Sequence, residues 1–219
     1  MSLFIPLLLL LTSVHVNHDG GVAQLHDGTH EYSSWDIVNH APTSCYTETL
    51  FDVVLTLSNV KHVLMFGLGG GVLSARLARV GIHTTVVEWS QHVIDVYHAV
   101  FHDSIREWVG DQPGTGCVTI VQDDALTYDT GDTGDTDDTG DMNNNHNVLI
   151  VDIPQCYRDV SSECVVMLHH MLSKKTCIVA NVWMQSAKQF YRAFNDDWGR
   201  FVSANERIGT LVWVSYACF

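Results

Sequence analysis

The sequence predicts an α/β sandwich built on a mostly parallel sheet, with an antiparallel strand pair at its C-terminal end. Two patterns carry this prediction. Short apolar runs alternate with helical apolar spacing from residue 44 onward, and a glycine-rich turn joins the first such run to the helix after it. Size agrees: 219 residues, 46% hydrophobic and 16% charged, suit one full core and are too apolar for intrinsic disorder.

Residues 1–43 read as a hydrophobic segment and a small β-region, with strand, turn (Asp19-Gly20-Gly21) and strand between Ser13 and Leu25. Leu3–Leu11 has the length of a signal-peptide apolar core and is too short to span a membrane. No Lys or Arg precedes Lys61 and no small-x-small cleavage site follows. A cytoplasmic location is therefore the expectation, and a secretory signal over residues 1–16 is the alternative.

Residues 44–219 read as the main domain. Leu50, Phe51, Val54, Leu55 and Leu57 form a helical face after Tyr46. His62–Phe66 is a buried strand, Val72–Val80 a helix and His83–Glu88 a strand; Val93, Tyr97, Val100 and Phe101 then fall at helical spacing. Val118–Val121 and Val148–Val151 are strands. Val160, Cys164, Met167, Leu168, Met171 and Leu172 mark a helix before the strand Thr176–Trp183. Ala187, Phe190, Tyr191, Phe194 and Trp198 mark another, and Phe201–Asn205 and Thr210–Tyr216 close the chain as a hairpin.

Eleven Lys and Arg against 25 Asp and Glu give a net charge of −14, which argues against nucleic acid as a partner, because phosphate binding needs a basic face. Part of the acidity is one low-complexity tract, Gly131–Asn147, which reads as a solvated insertion. It has neither the closing Glu of an EF-hand nor the apolar position of a calcium-binding nonapeptide repeat. The six cysteines include no C-x-x-C pair and read as buried free thiols of a reducing compartment. His98 and His102, four apart on one helix, have no recognisable third ligand, so no metal site is expected. Cys156 has no histidine placed near it by any motif and is not read as a nucleophile.

Chemistry concentrates around Gly67-Leu68-Gly69-Gly70-Gly71. Glycines between strand and helix permit a sharp turn and close approach of a ligand. The dinucleotide fingerprint G-x-G-x-x-G would require glycine at position 72, where Val72 stands. Three acids follow in order: Glu88 ending the second strand, Asp124 with Ala125 after the third, and Asp152 ending the fourth. Open α/β sheets bind ligands at this carboxyl edge, where one acid can accept ribose hydroxyls and another can meet an adenine amino group.

G-x-G-x-G resembles motif I of class I S-adenosylmethionine-dependent methyltransferases, which implies a Rossmann-like sandwich on a seven-stranded sheet. Tyr46-Thr47-Glu48, the run VLMFGLGGGVL, the Val-Val-Glu strand end, Asp124-Ala125 and Ile-Val-Asp together resemble the spermidine-synthase-like branch of that superfamily. The resemblance implies that Gly67, Gly69 and Gly71 contact the methionine-derived part of the donor, with Glu88 at the ribose and Asp124-Ala125 at the adenine. It assigns Asp152 and Tyr46 to catalysis on an acceptor amine, small-molecule or protein-borne, with Gln155 and Tyr157 lining that side. It also suggests a homodimer through the N-terminal β-region.

Two departures bear on the reaction. Polyamine synthases carry an aspartate in the glycine loop, at the position of Gly70 counted from the strand or Gly69 counted back from Val72, and a second acid where Gln155 stands. Without both, the ammonium groups of an aminopropyl donor and its acceptor are under-paired. The expected activity is methyl transfer from S-adenosylmethionine. The alternatives are aminopropyl transfer from its decarboxylated form, or a non-catalytic scaffold that keeps the fold.

Overall fold

Two sheets carry the chain in the computed structural model, which describes residues 13–17, 20–26, 31–43, 45–128, 148–153, 160–174, 176–205 and 210–218. The smaller is antiparallel throughout: β1 (Ser13–Asn17), β2 (Val22–His26), β3 (Glu31–Asp36) and β4 (Ala41–Pro42), in sequence order. The N-terminal hydrophobic run and the Asp-rich tract lie outside the described residues. No helix among those described is long and apolar enough to cross a membrane.

The larger sheet contains β5 (His62–Phe66), β6 (His83–Glu88), β7 (Val118–Gln122), β8 (Val148–Val151), β9 (Cys177–Trp183), β10 (Gly199–Asn205) and β11 (Thr210–Ser215). Its spatial order is β10-β11-β9-β8-β5-β6-β7. β5 to β9 pair in parallel, and β11 is antiparallel to both of its neighbours. The expected C-terminal hairpin is therefore present, with its second strand inserted against β9 and its first left at the edge.

Alternating side chains divide the strands between two cores. Val63 and Met65 of β5 face one side, together with Val86, Ile150 and Val179. That side is covered by α1 (Cys45–Thr56) and α2 (Val72–Arg79) through Leu50, Val54, Leu73 and Leu77. Leu64 and Phe66 face the other side and pack with α5 (Ser162–Ser173) and α6 (Ala187–Trp198). There Phe190 and Phe194 lie 5.3 and 5.7 Å, ring to ring, from Trp213 of β11.

Helical spacing after Glu88 continues further than the sequence suggests. α3 (Gln91–Val96) passes through one π turn, Tyr97–Phe101, into α4 (His102–Val109). Buried Tyr97, Phe101 and Ile105 then recur every fourth residue on the core side. The small sheet docks on α4: the Trp35 indole N–H donates to Ser104 Oγ at 2.7 Å, and its ring meets Trp108 edge-on at 5.3 Å.

The cysteines correct an expectation. Cys177 at the start of β9 and Cys218 in the final 3-10 turn (Tyr216–Cys218) form a disulfide, and Cys164 is also disulfide-bonded. Sequence alone does not reveal such pairing, because the partners stand 41 residues apart and the fold brings their Cα atoms to 4.5 Å. Cys117 is free, as expected, but it is exposed and not buried.

Candidate functional site

β5, β6, β7 and β8 run in parallel, so their C-terminal ends share one edge of the sheet. The glycine turn after β5, Glu88 ending β6, Asp124 just beyond β7 and Asp152 just beyond β8 are therefore neighbours along that edge. The pairing of Glu88 with Gln122 and of Phe66 with Val151 fixes the register.

The turn itself is strand backbone folded back into a helix. Gly67, Gly69 and Gly71 have φ of 96°, 52° and 73°, in the left-handed region that side chains resist. Gly67 also passes within contact of the next strand, since a Cβ there would lie 2.3 Å from the Asp152 carbonyl oxygen. Gly71 lies against the Tyr97 ring and Gly70 against Phe101, so the π turn supplies the floor of the loop. Of the five loop residues, Gly69 alone is partly exposed.

Glu88 is 6% exposed. One carboxylate oxygen accepts the Leu68 N–H at 3.0 Å and the other accepts the Ser90 N–H at 2.9 Å. Burial pushes its pKa above the ordinary glutamate value, and these backbone N–H bonds offset only part of that. The Trp89 backbone N–H adds a third bond, and the lone pairs that remain can still accept hydroxyls.

Asp124 is exposed, and Oδ1 accepts the Leu126 N–H at 3.0 Å in a turn that starts at the sheet edge. Ala125 is buried against the second core. Asp152 is half-buried, and its Oδ1 accepts from Asn181 Nδ2 at 2.8 Å. Gln155 and Tyr157 lie outside the described residues, as does the side chain of Tyr46, whose backbone lies in the first turn of α1.

Three residues of this edge escape the sequence reading. Asn181, 4% exposed, holds the Asp152 carboxylate from β9; a lone polar residue inside the apolar strand CIVANVW is its signal. Ser33 of β3 accepts the Gly70 N–H at 2.9 Å, tying the small sheet to the loop, and nothing local in the sequence announces it. Trp89 directly follows Glu88 and is 43% exposed, an uncovered indole beside a buried acid.

No family model matches the chain, and no curated protein matches it in sequence. Solved structures do match. Human methyltransferase-like protein 13, in complex with S-adenosylhomocysteine, aligns at a TM-score of 0.53 with 13% identity, over 79% of this chain and 82% of that one. The magnesium protoporphyrin IX methyltransferase of Synechocystis PCC 6803, with bound S-adenosylmethionine, aligns at 0.52 with 13% identity over 78% of each chain. The ribosomal protein L11 methylase of Lactobacillus delbrueckii subsp. bulgaricus aligns at 0.51 with 9% identity, again over 78% of each. What this chain shares with them is the fold, a Rossmann-like methyltransferase sandwich.

Proposed function

We propose that a chain with this methyltransferase fold is an S-adenosylmethionine-dependent methyltransferase of the spermidine-synthase-like kind, acting on an amine. The observation that carries the reading is the Glu88 carboxylate hydrogen-bonded to the N–H of Leu68, within the glycine turn. It joins a hydroxyl-accepting acid to a backbone loop free of side-chain bulk, the pairing a nucleoside with a charged tail requires.

The residues present suit that ligand. Glu88 would accept the two ribose hydroxyls, Trp89 would offer its ring to the adenine face, and Asp124 would meet the adenine amino group. The methionine-derived part would lie along Gly67, Gly69 and Gly71. When bound, the sulfonium supplies an electrophilic methyl group. The protein then has to orient the acceptor, and Asp152, steadied by Asn181, would hold an amine and take its proton. Tyr46, Gln155 and Tyr157 complete the acceptor side of this proposal.

Methyl transfer is favoured over aminopropyl transfer by the packing at Gly70. A Cβ there would meet Ser33 Cβ at 2.9 Å and the Phe101 ring at 3.1 Å, which leaves no room for an aspartate at that position, the one the polyamine-synthase acid takes when counted from the strand. Location follows the cysteines. Disulfides persist in oxidising compartments, so Cys177–Cys218 supports a secretory location over the cytoplasmic one.

Calorimetric titration tests the function. S-adenosylmethionine and S-adenosylhomocysteine are expected to bind better than decarboxylated S-adenosylmethionine. Glu88→Gln, which retains one acceptor oxygen, is expected to weaken them about 10- to 100-fold, the worth of a hydrogen bond to a charged group. Preference for the decarboxylated form would overturn the choice in favour of aminopropyl transfer. Binding of none of the three would leave a scaffold.

The raised pKa of Glu88 gives this reading a pH dependence. Ribose hydroxyls donate more strongly to the carboxylate than to the protonated acid, so ligand binding is expected to release protons and to strengthen as pH rises from the ordinary glutamate range toward neutrality. Titrations in buffers of different ionisation enthalpy read the released protons directly. For folding the sign is opposite. Protonated Glu88 is the form burial favours, so its contribution to stability declines as pH rises through the raised value.

A further inference from the structure

The end of the sheet opposite Glu88 carries a second cluster of reactive side chains. His62 opens β5, His83 opens β6 and Cys117 immediately precedes β7, so three adjacent parallel strands place them in a row. β6 separates this row from Glu88 by roughly 16 Å of extended chain.

The row is rigidly built. The His83 N–H donates to the Lys61 carbonyl at 2.8 Å and the Thr84 N–H to the Cys117 carbonyl at 2.9 Å. Gly116 donates its N–H to the Ala78 carbonyl at 2.7 Å and lies so close to Ile82 that a Cβ would sit 2.2 Å from the Ile82 oxygen. Cys117 therefore has one position relative to His83. Its Sγ is 3.0 Å from His83 Nδ1, and its backbone N–H donates to that same nitrogen at 3.3 Å. Nδ1 is thus the ring acceptor, aimed at the thiol. The His62 ring stacks on His83 with centroids 5.1 Å apart.

We propose that Cys117 is a modification site, an imidazole-activated thiol that exchanges with a small disulfide to form a mixed disulfide. The thiol proton passes from Sγ to His83 Nδ1, whose single lone pair gives up the 3.3 Å bond from the Cys117 backbone N–H, and the thiolate attacks one sulfur of the incoming disulfide. A new S–S bond forms at Cys117 and the old one breaks. The departing thiolate takes the proton from His83 and leaves as a thiol. Cys117 is oxidised and half of the small disulfide is reduced, so no other reactant is needed.

Three features favour this chemistry over an inert surface cysteine. Cys117 is exposed and free, whereas Cys177, Cys218 and Cys164 are already disulfide-bonded. The base already sits against the thiol, with its Nδ1 engaged by the Cys117 backbone N–H. Burial first, and then the neighbouring His83 and Lys61, lower the pKa of His62, which lessens its opposition to a proton on His83.

The test uses the full-length native protein with glutathione disulfide at neutral pH, the product being mapped by peptide mass spectrometry without reduction. One glutathionyl group on Cys117 is expected, at a rate about tenfold above that of the same residue in the urea-unfolded chain. His83→Gln, which retains an acceptor for the Cys117 N–H but takes no proton, is expected to lose that advantage while melting normally. A folded His83→Gln reacting at the wild-type rate would overturn the proposal, and so would a Cys117 no faster in the native protein than in the unfolded one. The comparison with urea requires no variant, so it decides even if His83→Gln fails to fold. A dimer linked through two Cys117 residues, with no small thiol ever attached, would overturn the choice of a small disulfide as the reactant.

Discussion

Replacing Gly67 by alanine is expected to cost roughly 3–5 kcal/mol of folding stability, combining backbone strain with overpacking. Two features of the residue set that size. Its φ of 96° lies where a Cβ is resisted, and the new methyl group would stand 2.3 Å from the Asp152 carbonyl oxygen. That oxygen belongs to the chain leaving β8, which Asp152 ties to β5 through its N–H to the Phe66 carbonyl at 3.0 Å. Neither strand can yield without loosening the edge that holds the candidate site. Gly114→Ala is the matched control, because its φ of 94° is nearly the same and nothing lies within 4 Å of the new Cβ. Denaturant midpoints for the two variants separate strain from contact. Equal losses would show that the approach of Asp152 contributes nothing.

Removing the Cys177–Cys218 disulfide by serine substitution at both positions is expected to cost about 4 kcal/mol, the chain-entropy value for a loop of this length. Its 41-residue span encloses β9, α6, β10 and β11. The bond therefore restrains the antiparallel end of the sheet, where β11 is inserted between β9 and β10. Thermal melting with and without reductant reads the effect, and the double variant should show no further response at this pair. An unchanged melting temperature in the variant would mean that the hairpin region is held by packing alone, through Trp213, Phe190 and Phe194.

Much of the fold is legible because its causes are local. A strand buried on both faces must be apolar throughout, so HVLMF, VLIV and CIVANVW stand out as runs. Helices that cover them must be apolar every three to four residues, as in Cys164, Met167, Leu168 and Met171. The candidate site is legible for a related reason. A turn through left-handed backbone demands glycine, and acids at the ends of successive parallel strands are brought together by topology alone. Gly67, Glu88, Asp124 and Asp152 could accordingly be placed on one edge from their positions along the chain.

The π turn at Tyr97–Phe101 lies between these cases. Its aromatics show helical spacing, but their reason for being there is the glycine loop they support from another part of the chain. Local periodicity records that Tyr97 and Phe101 are buried and is silent on what they bury against.

What the sequence determined alone is everything dictated by a residue's immediate neighbours: the alternation of elements, the parallel core and the glycine turn with its row of acids. Tertiary structure decided what depends on residues distant in the chain. It inserted β11 beside β9, brought Ser33 onto Gly70 and Asn181 onto Asp152, closed Cys177 on Cys218 and set His83 against Cys117. Each of these is a contact between groups 27 or more residues apart. Neither partner carries a local mark of the other, because the energy of such a contact exists only once the sheet has set the register.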